Sequence, residues 1–285
     1  MIGSLQIDDD GLVKRGQSMM RNQPHFGRRQ ALRALAGAAT ALACPICRAL
    51  AEESKPAPHA TAHWAYEGEA GPEGWGELSA DFKVCSLGLE QTPIDLKTAI
   101  RAETGLVEPS FQPMPLTILN NGHTIQINCS PGSHSMVAEK RFDLVQFHFH
   151  HPSEHLLSGR AFEMELHFVH KSAEGRLAVL GVFIRAGGES AALAPIWAAM
   201  PKQAGDPLTV EATTIDPAGL LPASREHFRY KGSLTTPPCS EGVLWTVFKN
   251  PIEASPEQIR QFAELFPVNA RPVKPLNSRF LLESM

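Results

Sequence analysis

The chain has 285 residues, 43% of them hydrophobic and 20% charged, enough apolar content for the core of one large domain or two small ones. Its formal charge of −4 is uneven. Residues 1–51 carry seven Lys/Arg against Asp8, Asp9 and Asp10, leaving 19 basic and 27 acidic residues downstream, a net of −8. A mildly acidic body excludes the electrostatic footprint of a nucleic-acid binder, and no segment reaches the roughly 20 apolar residues that a spanning helix needs.

In chain order, the first feature is Gly27-Arg28-Arg29-Gln30 ahead of an Ala/Leu-rich stretch from Ala31 to Ala43, with a small-x-small cleavage site at Ala49-Leu50-Ala51. The arginine pair resembles a twin-arginine export signal, so residues 1–51 are expected to be an export signal and the mature protein to be periplasmic or secreted. Met19 or Met20 offers an alternative start, which would make residues 1–18 an over-extension. Cys44 and Cys47 lie inside this segment, where their C-x-x-C spacing is incidental. A lipoprotein anchor at Cys44 is disfavoured because Ala41-Leu42-Ala43 matches a lipobox poorly. Residues 52–62, rich in Glu, Ser, Lys, Pro and Ala, read as a flexible leader. Residues 63–285 form the expected catalytic domain. Cys85, Cys129 and Cys239 remain in it, enough in an oxidising compartment for one disulfide and one free thiol; spacing leaves the pair open.

Short apolar runs bounded by turn residues predict strands at 116–119, 125–127, 144–149, 163–169, 178–184 and 243–248. Helices are predicted at 191–200 and 256–265. The second has Ser255 as N-cap, Pro256 at its first position and Glu257 in its first turn. Many strands and few helices give one mainly β (α+β) domain. Ser158-Gly159-Arg160 is a turn that returns the chain antiparallel to the strand before it.

Three histidines carry the chemistry. His148 and His150 are two apart, and alternate residues of a strand share a face. His167 lies on the returning strand. Each of His148 and His167 follows, at two residues, an acceptor able to hold its second ring nitrogen: Gln146 and Glu165. A single strand histidine is usually an ordinary hydrogen-bonded residue. Three at this spacing supply three nitrogens and leave a fourth tetrahedral position for water, the arrangement of a catalytic zinc site.

Around them stand further motifs: Pro152-Ser153-Glu154-His155, Gly232-Ser233-Leu234-Thr235-Thr236-Pro237-Pro238, His63-Trp64-Ala65-Tyr66, Gln91-Thr92-Pro93-Ile94-Asp95, Asn120-Asn121-Gly122-His123 and Arg271-Pro272-Val273-Lys274-Pro275-Leu276-Asn277. With the histidines these closely resemble the alpha-class carbonic anhydrases over most of residues 63–280. The resemblance implies a large twisted, mostly antiparallel sheet with few short helices, a Zn2+ cofactor held by His148, His150 and His167, and reversible hydration of CO2 to bicarbonate and a proton. It implies that Thr235 accepts a hydrogen bond from the zinc-activated nucleophile and donates its own hydroxyl hydrogen bond to ionised Glu154, and that Thr236 contacts bicarbonate. It places Val169, Val179, Leu234 and Trp245 in an apolar wall for CO2 and makes His123 the proton shuttle, a role suited to an ordinary His pKa near 6.5. It pairs Cys85 with Cys239 as a disulfide bracing the Thr235 loop and gives Cys129 no counterpart. His155 is expected to be a buried partner near Glu154 and Tyr230. His151 faces away from the ligands, and His59, His134, His170 and His227 are taken as surface residues.

Two other readings compete. His148-x-His150-x-x-x-Glu154 also fits the metal motif of cupin oxygenases, but Phe142 and Ala161 stand near where that motif needs glycines. A non-catalytic binding protein on the same scaffold would have lost ligands, and all three are present. The expected partner is a small molecule, CO2 or bicarbonate; the sequence leaves a homodimer open.

Overall fold

The computed structural model describes residues 63–285. The expected export signal and leader, with Cys44, Cys47 and His59, lie outside the described residues. Ten strands run edge to edge through the main sheet. They are β1 (Ile100–Ala102), β2 (Met114–Asn120), β3 (Ile125–Asn128), β4 (Lys140–His150), β5 (Met164–Lys171), β6 (Leu177–Ala186), β7 (Leu208–Ile215), β8 (His227–Ser233), β9 (Glu241–Phe248) and β10 (Leu282–Ser284). Their order is β7-β2-β3-β4-β5-β6-β9-β8-β10-β1. The β6–β9 and β10–β1 pairs are parallel and the other neighbours antiparallel, as the resemblance implied.

All six predicted strands are present and each is longer than expected by a residue or more, although Glu163 falls just before β5. The helices are shorter than expected: α1 spans Ala194–Ala198 and α2 spans Pro256–Ala263. Ser255 caps α2 in a full capping box with Gln258, so the predicted start holds. The α2 stop comes early because Glu264 and Leu265 leave the helix one turn before Pro267. Sequence periodicity missed the short strands β1 and β10 as well as β7 and β8. Thr and Glu dominate β7, and β8 alternates His227, Arg229 and Lys231 with Phe228 and Tyr230, a pattern of exposed charge. Arg229 is nevertheless buried, its guanidinium donating to Thr246 Oγ1 on β9 and to the Thr104 carbonyl.

Each face of the sheet is covered. Leu166 and Phe168 of β5, with Leu180, Val182 and Ile184 of β6, join one core on which Trp197 of α1 and Phe262 of α2 pack. The residues between them belong to the other face, where Val179 and Phe183 of β6 join Phe228, Tyr230, Val243 and Trp245. In β5 the alternation Met164-Glu165-Leu166-His167-Phe168 therefore sends apolar side chains to one core and Glu165 and His167 to the opposite face.

Two histidines expected at the surface are in the interior. His170 has no exposed surface; its Nδ1 is 2.9 Å from the Phe168 carbonyl and its Nε2 2.9 Å from Ser135 Oγ. His227 is 3% exposed and bonds Thr104 Oγ1 and the Arg225 carbonyl. A strand histidine beside a charged residue, Lys171 for His170 and Glu226 for His227, carries no sign of which face it occupies.

Burial pulls the His170 pKa from 6.5 down to about 4. The unfolded chain therefore binds this proton more readily, and stability rises with pH across the interval. His170 contributes in full above pH 6.5 and costs the fold roughly 3 kcal/mol by the time pH has fallen through about 4. Urea midpoints measured from pH 7 to 4 should fall more steeply for the parent than for His170→Gln. Parallel curves would show that His170 titrates normally.

Candidate metal centre

The three histidines able to hold a metal come from β4 and β5, and their facing depends on one irregularity. Leu144 pairs with His170 and Gln146 with Val169, so β4 has one residue more than β5 at Val145. Val145 is exposed, and its carbonyl is taken by the Cys129 N–H at 2.9 Å. Before this bulge Phe142 and Leu144 enter the helix-covered core; after it Phe147 and Phe149 do. The bulge therefore turns Gln146, His148 and His150 to the opposite face, beside Glu165 and His167. His148 and His167 are direct cross-strand partners.

One nitrogen of each ring of His148, His150 and His167 lies within 4.8 Å of the others. The remaining ring nitrogens are held by hydrogen bonds. His148 Nδ1–H donates to Gln146 Oε1 at 2.9 Å, His150 Nδ1–H to the Asn269 carbonyl at 2.7 Å, and His167 Nε2–H to Glu165 Oε1 at 2.9 Å. These bonds fix the tautomers and leave Nε2 of His148, Nε2 of His150 and Nδ1 of His167 free. Gln146 and Glu165 thus stand where the sequence put them. Asn269 was missed, because a main-chain carbonyl leaves no residue-specific signal.

The donor set fits a metal ion. His150 Nε2 is buried without a hydrogen-bond partner, a costly state for an acceptor that nothing among the described residues satisfies. Burial and the neighbouring His150 and His167 hold the His148 pKa well below the ordinary range, and burial lowers that of His150, so both rings are neutral and able to ligate. Three nitrogen donors and no thiolate match a zinc site with one position open. His155, Glu165 and His167 form a second close group, but its atoms are already paired. Glu165 Oε1 accepts from His155 Nδ1 at 2.7 Å as well as from His167, and Oε2 accepts the His155 N–H at 2.8 Å. Burial disfavours ionised Glu165, yet His155 and His167 outweigh it and hold the carboxyl well below the usual range. His155 accordingly pairs with Glu165 and with the Tyr230 hydroxyl at 2.6 Å, rather than with Glu154.

Glu154 is buried beside the ring cluster. Its Oε1 accepts the Arg271 main-chain N–H at 2.9 Å. Its Oε2 has no hydrogen-bond partner and lies 3.6 Å from His150 Nε2 and 3.8 Å from His167 Nδ1. Thr235 is buried and Thr236 half-buried on the loop after β8, with no hydrogen bond from Thr235 to that Glu154 oxygen.

Val179 sits between Val169 and Trp245 in register across three strands, and Leu234 packs on the same cluster. The Trp245 ring centroid is 4.9 Å from that of His167, so these apolar residues adjoin the ligands. Val243 also belongs to this cluster and was not singled out by the sequence. His123 lies half-buried on the loop between β2 and β3 and stacks on Trp64, centroids 3.6 Å apart. Cys85 and Cys239 form a disulfide, and the Cys239 N–H donates to the Thr236 carbonyl at 2.8 Å. Cys129 is free, its thiol pushed up to about 12 by burial.

Comparison with known proteins converges on one group. The family model described as eukaryotic-type carbonic anhydrase matches residues 70–285. A carbonic anhydrase of Nostoc sp. is 48% identical over 237 residues, 81% of this chain and 90% of the relative. One of Pectobacterium carotovorum is 42% identical over 77% of this chain and 90% of its own length. Among solved structures, the alpha-carbonic anhydrase of Thermovibrio ammonificans with the inhibitor sulfanilamide superposes with a TM-score of 0.75 at 44% identity, over 78% of this chain and 99% of that one. The match runs through every strand that carries the histidine cluster and its apolar neighbours, and the chain belongs to the alpha-class carbonic anhydrases, lyases whose general reaction is the hydration of CO2.

Proposed function

We propose that residues 63–285 are a zinc-dependent catalytic domain hydrating CO2 to bicarbonate and a proton, with His148, His150 and His167 as the ligands. The observation that carries this reading is the set of three free ring nitrogens, each oriented by a hydrogen bond on its far side, next to an apolar cluster. Zinc bound there supplies Lewis acidity that brings the pKa of a coordinated water from about 15.7 to about 7, so that a nucleophile is available at neutral pH.

The chain's own residues do the rest. Val169, Val179, Leu234 and Trp245 line a water-poor recess suited to a small molecule without charge or net dipole. The Thr235 hydroxyl, which does not bond Oε2 of Glu154 in the structure, would turn to donate to that unpartnered oxygen during turnover and so present its own oxygen to the reacting water only as an acceptor, which fixes the direction of the lone pair. Arg271, by donating to Oε1, holds the Glu154 carboxylate in one orientation. Thr236 receives the bicarbonate product at the edge of the recess. His123 carries the released proton to buffer; burial and nearby His63 lower its pKa, so the ring is neutral and able to accept at physiological pH. A disulfide in the domain and the Arg28-Arg29 segment support an exported, periplasmic or secreted protein.

Removing one ligand in His167→Ala should reduce zinc from equimolar to a small fraction and abolish hydration; full zinc content would exclude this ligand set. Val179→Tyr should keep its zinc yet slow hydration by about 10²-fold or more, because the ring fills the recess. An undiminished rate would move the CO2 site elsewhere. His123→Ala should slow turnover in weak buffer by about 10²-fold, and added imidazole should restore it. A rate independent of buffer would remove His123 from proton transfer.

A further inference from the structure

Asn269 lies on the irregular segment after α2, is 1% exposed, and has every polar atom engaged. Its main-chain carbonyl accepts His150 Nδ1–H, and its main-chain N–H donates to the His151 carbonyl at 2.9 Å. The side chain makes a second, separable set of bonds. Oδ1 accepts the His151 N–H at 2.7 Å, while Nδ2 donates to the Phe149 carbonyl at 3.0 Å and to the His123 carbonyl at 2.9 Å. Phe149 and His151 flank ligand His150 on the end of β4. His123 is on the loop between β2 and β3, 146 residues away in sequence.

That loop is shaped locally. Asn121 Oδ1 accepts the N–H groups of His123 and Thr124, both at 2.9 Å, and Asn120 Oδ1 accepts that of Gly122 at 2.9 Å. Gly122 has φ +86°, which permits the turn. These bonds set the loop's form and say nothing of its distance from the ligands. Thr124 ties the loop's base to Phe149 through both main-chain groups of Phe149. Among the described residues Asn269 Nδ2 alone donates to the His123 carbonyl, and it does so from the same amide nitrogen that grips the strand of His150.

We propose that the Asn269 side chain is a positioning residue for proton transfer: with Thr124 tying the base of the loop to the same strand, one buried amide holds the His123 main chain itself against the strand bearing His150. The inference rests on the shuttle role given to His123 above. An amide suits the task because it offers two N–H donors to two carbonyls and an acceptor to one N–H, whereas a carboxylate would set an acceptor against both carbonyls. Because any residue at this position retains the carbonyl that orients His150 and the N–H that bonds the His151 carbonyl, a side-chain substitution leaves the main-chain hold on that strand in place, and zinc content reports whether losing the bonds to Phe149 and His151 disturbs it.

The test compares Asn269→Ala, His123→Ala and the double variant as zinc-loaded full chains. In weak buffer, Asn269→Ala should lose about fivefold in hydration rate, the effect of one hydrogen bond of ordinary net strength, and imidazole should restore it. Zinc should stay equimolar, amide exchange at Gly122, His123 and Thr124 should quicken, and the double variant should lose no more than His123→Ala alone. Asn269→Ser, too short to reach the His123 carbonyl and without a buried charge, should behave alike and serves if the alanine variant does not fold. An unchanged weak-buffer rate, a loss that imidazole does not repair, loss of zinc, or an additive double variant overturns the proposal. If His123→Ala loses rate and Asn269→Ala does not, this proposal alone fails; if His123→Ala keeps its rate, the shuttle reading fails and takes the proposal with it.

Discussion

The extra residue of β4 at Val145 decides which chemistry the sheet can present, because side chains of a strand alternate with a period of two and a one-residue slip exchanges the faces. Had β4 and β5 paired without it, the even-numbered residues that begin with Phe142 and Leu144 in the helix-covered core would have carried His148 and His150 in behind them, and Phe147 and Phe149 would have faced the ligand side. The bulge lets the same strand fill the core with aromatic rings along its whole length and still turn two imidazoles toward His167. It lies where Val145 can be exposed and its carbonyl still satisfied by the Cys129 N–H, so the interruption leaves little polar debt in the interior.

On the ligand side the difficulty is polar burial. Glu165, His155 and His167 are all essentially inaccessible, and an isolated carboxylate there would be strongly disfavoured. It is sustained because one oxygen accepts from two rings and the other from a main-chain N–H. The network continues from His155 to Tyr230, from Tyr230 to Thr92 Oγ1 at 3.2 Å, and from Thr92 Oγ1 to the Ser233 N–H at 2.9 Å. A continuous path of satisfied groups thus joins the His167 ring to the start of the Thr235 loop. Networks of this kind favour a single geometry, since a half-made one is worse than none.

Arg271 and the Cys85–Cys239 disulfide hold the same region from outside. The guanidinium donates to the carbonyls of Thr92 and Cys85 at 2.8 and 2.9 Å and lies over Trp75, while the main chain of the same residue holds Glu154. The disulfide closes a loop with a separation of 154 residues, for which chain-entropy reasoning gives a stabilisation on the order of 5 kcal/mol. Both act on segments that have little regular structure of their own, and this is where a hydrogen-bonded ladder cannot fix position.

The sequence by itself determined the residue types and their local spacing: the alternation of His148 and His150, the acceptors Gln146 and Glu165, the Ser255 cap, and six strands whose apolar period is plain. Those features are local, set by covalent geometry and side-chain chemistry within a few residues. It did not determine the bulge at Val145, the interior positions of His170 and His227, the pairing of His155 with Glu165, or the service of the Asn269 carbonyl to His150. Each of these depends on which distant segment supplies the facing atom, and in the last case on a main-chain group that every residue carries. Only the tertiary structure, by choosing register and bringing the segment after α2 against β4, could decide them.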